Sequence, residues 1–181
     1  MKIGGIRIEI MLLALVIALA IFFGGQYLIR EYYIGQPLQE ELQALEEVKE
    51  AELLEVGSEN RILVTLNPVD NILRTHEMLQ DFISERLGKR PFTLQLKNNN
   101  QQLDDLYYQL HYLLYQSLAH SEYVELAREL EVKRKELELD EAAFFLDQKH
   151  LYLQLISGQE AYYRIIPRPE GTIKEKGGRG Q

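Results

Sequence analysis

The sequence contains no cysteine among its 181 residues. This absence excludes disulfide bonds, thiol nucleophiles and metal sites built from thiolates. The sequence also lacks the patterns of a P-loop, a dinucleotide-binding glycine loop and a hydrolase nucleophile elbow. It therefore predicts a protein that is not an enzyme, and it indicates no cofactor.

Basic residues are scarce in one part of the chain. Residues 31–60 carry nine acidic side chains and one basic side chain, Lys49, which together account for the whole net charge of −8. An acidic segment repels phosphate backbones, and no basic stripe with interleaved aromatic residues occurs elsewhere in the sequence. We therefore expect no nucleic-acid partner.

Residues 10–29 form one uncharged, mostly apolar run. A helix of twenty residues is about 30 Å long, which matches the hydrocarbon core of a bilayer. The run therefore predicts a transmembrane helix. Tyr27, Arg30, Tyr32 and Tyr33 stand at its C-terminal edge, where we expect them to lie at the membrane interface.

A cleaved signal peptide is the alternative interpretation of this run. Lys2 and Arg7 would form its charged region, and Ala18 and Ala20 resemble a cleavage site. The apolar run continues beyond Ala20, which favours an uncleaved signal anchor. Basic residues are more frequent before the run than directly after it, so residues 1–9 are predicted to be cytoplasmic and the C-terminal domain extracytoplasmic.

Residues 30–51 are predicted to form an acidic juxtamembrane stalk helix. Leu38, Leu42, Leu45 and Val48 recur at spacings of four, three and three residues, which places them on one helical face. So narrow an apolar stripe fits a dimeric coiled coil or packing against the following domain, and both alternatives stay open.

Residues 52–167 are predicted to form an α+β domain. The first half of the domain reads as strand, strand, helix and strand, with Gly88 closing the helix. The second half reads as a long helix, broken near Ser121, and then three strands of an antiparallel meander. We expect Ser121 to be the N-cap of the second helical part. The expected fold is a mostly antiparallel sheet of five to six strands with helices packed on one face, followed by a disordered tail at residues 168–181.

The pattern of strand, strand, helix and strand resembles the small modules of bacterial envelope proteins of the BON and ring-building types. The whole chain resembles uncharacterised single-pass membrane proteins of Gram-positive bacteria. These resemblances imply a place in the bacterial cell envelope.

The four histidines do not form a metal-binding pattern. His111 and His120 are nine residues apart, which places them on opposite sides of a helix. His76 is followed by Glu77, but no second histidine stands four or five residues further on, as the zinc motif of metalloproteases requires. The sequence therefore predicts no metal site.

Residues 103–120 form a helix with two apolar faces. Its leucines fall within one arc and should cover a sheet, whereas Tyr108, Tyr112 and Tyr115 cluster nearly opposite, with His111 at their border. The tyrosine face could be covered by the helix that follows, by another protein or by a small ligand. All three alternatives stay open at this stage.

These patterns predict a non-enzymatic, membrane-anchored interaction or scaffold protein of the bacterial cell envelope. We expect it to bind a protein partner or to form a homo-oligomer. The alternative is a ligand-binding sensor or accessory domain. In both cases the candidate binding residues are Tyr108, His111, Tyr112 and Tyr115, because tyrosine combines a large contact area with a polar tip.

Overall fold

The computed structural model describes residues 2–3, 6–7, 12–13, 15–19, 21, 36–56 and 59–169. Its longer helices are α1 (Gln36–Gln43), α2 (Ile72–Leu87), α3 (Gln101–His120) and α4 (Tyr123–Glu136). Its strands are β1 (Lys2–Ile3), β2 (Ile6–Arg7), β3 (Val48–Val56), β4 (Glu59–Leu66), β5 (Phe92–Leu96), β6 (Glu141–Leu146), β7 (His150–Ser157) and β8 (Glu160–Pro167). Residues 12–13, 15–19 and 21 are also helical.

The first sheet consists of β3, β4 and β5. Strands β3 and β4 form an antiparallel pair, and α2 carries the chain back so that β5 lies parallel to β4. Asn71 begins α2, because its side chain accepts a hydrogen bond from the main-chain N–H of Arg74. Gly88 ends the helix at φ 62°, a conformation that glycine adopts readily. The predicted order of strand, strand, helix and strand is confirmed.

The second sheet is the predicted antiparallel meander of β6, β7 and β8. The turn before β7 is built by Asp147, whose carboxylate accepts the main-chain N–H groups of Lys149 and His150 at 2.5 Å each. Gly158, at φ 59°, forms the turn between β7 and β8.

The prediction of one sheet with five to six strands is wrong. The two three-stranded sheets are separate, because β5 and β8 do not pair with each other. The side chain of Asn98 lies between them: its amide group donates to the carbonyl of Tyr163 at 3.0 Å and accepts the N–H of Tyr163 at 2.9 Å. At Tyr163 a side chain therefore replaces the main-chain partner that a continuous sheet would supply.

The expectation that helices pack on one face only is also wrong. Alternate residues of a strand project to opposite faces, and β7 is buried on both. Leu151, Leu153 and Leu155 pack with the leucines of α3 and α4, whereas Tyr152 belongs to the core formed by α1, α2 and the first sheet. The second sheet therefore lies between two layers of helices.

Gln154 connects the buried second face of β7 to the loop before α2. Its side chain is fully buried, donates to the carbonyl of Val69 at 2.7 Å and to the carboxylate of Glu141 at 2.8 Å, and accepts the N–H of Ile72 at 2.9 Å. The Tyr163 hydroxyl accepts the N–H of Val69 at 2.9 Å, and burial raises the pKa of Tyr163 to about 12. The bond to Ile72 satisfies a main-chain N–H that α2 leaves unpaired at its N-terminus, and the bonds to Val69 satisfy main-chain groups of the preceding loop.

The segment predicted as a stalk helix differs in the structure. Its helix α1 is only eight residues long, and its residues Leu38 and Leu42 are buried in the core of the first sheet. Val48 already begins strand β3. Of the two interpretations of the apolar stripe, the structure shows packing against the domain. Residues 30–35 lie outside the described residues.

The prediction of a single-pass membrane protein with an extracytoplasmic domain is corrected by the structure. Among the described residues, no helix has both the length and the apolar character needed to cross a bilayer. Between residues 10 and 29 the structure describes only residues 12–13, 15–19 and 21. The proposed interface residues Tyr27, Arg30, Tyr32 and Tyr33 lie outside the described residues, as do residues 170–181 of the predicted tail.

Ser121 separates the two helices of the second half, as predicted, but in a different role. It ends α3 in the left-handed conformation, at φ 59° and ψ 33°, and its main-chain N–H donates to the carbonyl of Ser117. The N-cap of α4 is Glu122, whose side chain makes no capping hydrogen bond. The prediction that Ser121 is an N-cap is therefore wrong.

This backbone conformation gives a first prediction. The Ser121→Gly variant should raise the free energy of unfolding by about 0.5 kcal/mol, because glycine adopts the left-handed conformation without the steric cost that a Cβ atom brings. Ser121→Ala keeps the Cβ atom and should give no gain. Urea unfolding of the three proteins measures the difference. A Ser121→Gly variant less stable than the wild type would contradict the prediction.

Candidate functional site

The leucine face of α3 is buried, as the sequence predicts. Leu103, Leu106, Leu110, Leu114 and Leu118 all pack into the core that α3 and α4 form with β7 and β8. Helix α3 is thereby fixed on the sheet, which makes its opposite face a rigid platform.

The tyrosine face of α3 is exposed. The exposed fraction is 66% for Tyr108, 80% for Tyr112 and 46% for Tyr115. Helix α4 does not cover them: it packs through Leu126 into the leucine core, and its Val124 is itself 84% exposed. Of the three alternatives for this face, the structure excludes coverage by α4. We use the term tyrosine surface for Tyr108, His111, Tyr112 and Tyr115.

A buried cluster supports the tyrosine surface from below. Tyr107 is 3% exposed and stacks on Tyr162 of β8, with their ring centroids 5.4 Å apart. The guanidinium of Arg164 lies over the ring of Tyr107 at 5.3 Å, a cation–π contact. Burial raises the pKa of Tyr107 and the nearby positive charge of Arg164 opposes this rise, so the hydroxyl stays neutral at physiological pH.

His111 connects this buried cluster to the exposed tyrosines. Its Nδ1 atom lies 3.2 Å from the hydroxyl of Tyr107, and its ring centroid is 4.5 Å from that of Tyr115. Tyr107 also contacts Tyr108, with ring centroids 5.6 Å apart. The neighbouring rings therefore limit the freedom of Tyr108 and Tyr115, although both are exposed.

Carboxylates lie at the N-terminal end of the tyrosine surface. Burial raises the pKa of Tyr162, and a hydrogen bond to Asp104 raises it further. The Asp105 carboxylate accepts a hydrogen bond from the side chain of Gln101 at 3.1 Å. Asp104 lies in the first turn of α3, where the helix dipole favours negative charge, and Asp105 follows it directly.

The sequence-based reasoning missed Tyr162 and Arg164. Tyr162 and Arg164 are two residues apart on β8 and therefore project to the same face, the one that α3 covers. That spacing was visible in the sequence, but which helix covers the strand was not.

No metal-binding group of three or more histidine, aspartate or glutamate side chains is present in the part of the chain that the structure describes.

A polar cluster of His76, Asp147, His150 and Tyr152 lies at the N-terminal end of β7. The ring centroids of His76 and Tyr152 are 5.6 Å apart, and those of His150 and Tyr152 are 5.8 Å apart. The Tyr152 hydroxyl donates to the carboxylate of Asp147 at 2.8 Å.

This cluster gives a prediction about pH. His76 is buried, which lowers its pKa; the neighbouring His150 lowers it further and Asp147 opposes the change. The unfolded chain therefore binds a proton at His76 at pH values where the folded protein does not. The free energy of unfolding should be largest above about pH 6.5 and should fall as the pH drops below that value. The expected loss begins near the ordinary histidine pKa of about 6.5 and grows down to the lower pKa of the folded state.

Urea unfolding between pH 7.5 and 5 tests this expectation. His76→Phe keeps a ring against Tyr152 but cannot be protonated, so its stability should depend less on pH. His120→Phe, at an exposed position, is the matched control and should keep the wild-type pH dependence. An unchanged pH dependence in His76→Phe would contradict the role of His76.

Comparison with known proteins gives no further guide to function. No protein-family model, curated protein or solved structure matches the chain. The resemblance to the BON-type and ring-building modules of envelope proteins therefore stays a prediction.

Proposed function

We propose that this is a non-enzymatic interaction protein that docks a protein partner through the tyrosine surface. The observation that carries the proposal is the exposure of three neighbouring tyrosines on a helix whose opposite face is buried. Tyrosine is enriched among the residues that dominate binding energy in protein interfaces, because its ring gives a large contact area at low entropic cost. Tyr107, which is buried, and His111, which contacts both Tyr107 and Tyr115, support these rings before any partner binds, and this reduces the cost of ordering them.

The shape of the surface favours a protein over a small ligand. Small-molecule sites are concave and bury most of the ligand. Tyr108 and Tyr112 stand on the outer side of a helix and are exposed by more than 60% each. A flat or concave surface of another protein can cover such a ridge. This shape therefore favours a protein partner over the ligand of a sensor domain.

The charges around the tyrosines favour a partner with basic side chains. Asp104 and Asp105 supply negative charge near the N-terminal end of the tyrosine surface. The guanidinium of Arg164 lies over the ring of Tyr107. The exposed tyrosine rings could make the same cation–π contact with a cation of the partner. We infer a partner that presents arginine or lysine toward the tyrosine surface.

Site-specific photo-crosslinking in the cells of origin tests the proposal. A photoreactive amino acid is placed at position 112, within the tyrosine surface, or at position 124, an exposed residue of α4. We expect one defined protein adduct from position 112 and none of that species from position 124. The same adduct from both positions, or no adduct from position 112, would refute the docking role. An adduct with a second copy of the chain would show that the tyrosine surface binds another copy of this protein instead of a different one.

A further inference from the structure

A groove separates the facing edges of the two sheets. Its volume is about 380 Å³. Strand β5 forms one wall and strand β8 forms the other. The groove is lined by Leu94, Gln95, Leu96, Tyr163, Arg164 and Ile165. This groove is separate from the tyrosine surface on α3.

Alternate residues of β5 point their main-chain N–H and carbonyl groups toward this groove. The N–H of Lys97 donates to the carbonyl of Val64, and the carbonyl of Pro91 accepts the N–H of Asn60. The odd-numbered residues of β5 therefore pair with β4. In a parallel strand both main-chain groups of a residue point to the same side, so those of Leu94 and Leu96 point into the groove.

The main chain of β8 shows the complementary arrangement. Tyr163 turns its N–H and carbonyl away from β7, and the side-chain amide of Asn98 binds both groups. Asn98 thus makes the two hydrogen bonds that a residue of a neighbouring strand would make. Ile165, two residues further along β8, turns its main-chain groups to the same side.

We propose that this groove binds an extended segment of a partner protein, which adds a strand between β5 and β8 and joins the two sheets. Only an extended main chain presents donors and acceptors toward both walls with the repeat of a strand. The Asn98 side chain marks one end of the site, because it already occupies the position of such a strand beside Tyr163.

The side chains of the groove define the chemistry of the segment. Leu94, Leu96 and Ile165 are partly buried and pack against the core on the α2 side, so they favour apolar residues at alternate positions of the bound strand. Arg164 is exposed on the other side of the groove. The residue that faces Arg164 should therefore be acidic, so the bound segment alternates apolar residues with polar or acidic ones.

A displayed library of random seven-residue peptides is the probe for this site. Peptides selected on the full chain should alternate apolar with polar residues and carry a carboxylate. The Leu94→Pro variant removes the N–H that points into the groove and leaves the pairing with β4 intact, since the odd-numbered residues make those bonds. Leu94→Val is the matched control, because it truncates the side chain but keeps the N–H.

We expect the selected peptide to bind Leu94→Pro at least tenfold more weakly than Leu94→Val. A second measurement does not depend on the folding of the variant: the same peptide, N-methylated at alternate amides, should lose binding to the wild-type chain at least tenfold. Peptides that bind regardless of N-methylation, or a library that yields no alternating sequence, would overturn the proposal. Photo-crosslinking at position 112 is a separate test, so the two binding proposals can fail independently.

Discussion

The Gln154→Leu variant is expected to lower the free energy of unfolding by about 3 kcal/mol. Leucine has a similar size, but it leaves the N–H of Ile72 and the carbonyl of Val69 without their partner in the interior. An unsatisfied buried polar group costs about 1–3 kcal/mol, and this substitution creates two of them beside the carboxylate of Glu141. Urea unfolding measures the loss.

A second glutamine provides the control for this variant. Gln43 also donates a side-chain hydrogen bond to a main-chain carbonyl, that of Ala51 at 3.1 Å, but it is exposed. Water can replace this bond, so Gln43→Leu should change the stability by about 0.5 kcal/mol or less. Equal losses for the two variants would show that Gln154 does not join the second sheet to the loop before α2.

The second large effect is expected from a comparison of two tyrosines on the same helix. Tyr107→Ala should lower the free energy of unfolding by about 3–4 kcal/mol, because it empties a buried site between α3 and β8. Tyr112→Ala, five residues further along α3, removes a ring that is 80% exposed. It should change the stability by no more than about 0.5 kcal/mol.

Thermal and urea unfolding of both variants measure this contrast, and Tyr108→Ala should behave like Tyr112→Ala. A loss of 2 kcal/mol or more for Tyr112→Ala would mean that the ring is part of the core. The docking proposal would then lose its main observation. A small effect for Tyr107→Ala would instead mean that its stacking on Tyr162 adds little to the stability.

The local elements of this fold follow from sequence patterns. The alternation of Ile62, Val64 and Leu66 predicts strand β4, and the 3.6-residue spacing of apolar residues up to Leu87 predicts α2. Both signals are local and depend on which side of one element is dry. Gly88 predicts the end of α2 for an equally local reason, since few other residues adopt its conformation without cost.

The assembly of these elements does not follow from the same patterns. Whether β5 and β8 pair depends on the position of Asn98, whose amide can imitate a strand only when the two edges approach each other. Tyr152 and Gln154 look like the polar face of a half-exposed strand, yet both are buried. Their burial depends on hydrogen-bond partners from Asp147 and from the loop before α2, which no periodicity within β7 reveals.

The candidate site shows the same limit. The angular positions on α3 predict that Tyr108, Tyr112 and Tyr115 form a separate face, and this is confirmed by their exposure. The sequence could not decide whether α4 covers them. That outcome depends on the direction in which Ser121 sends the chain, and its left-handed conformation is a property of the folded backbone.

The yield of the crosslink from position 112 tests the central claim most directly. It is measured in a variant that also carries Tyr108→Ala and Tyr115→Ala. The unfolding free energy of this variant must match that of the parent chain. Truncation of tyrosines that dominate an interface costs about 2 kcal/mol or more in binding, which corresponds to more than a tenfold loss of affinity. We predict that the adduct with the partner falls by at least tenfold. An undiminished adduct from this stable variant would contradict the account, because the partner would then not depend on the tyrosine surface.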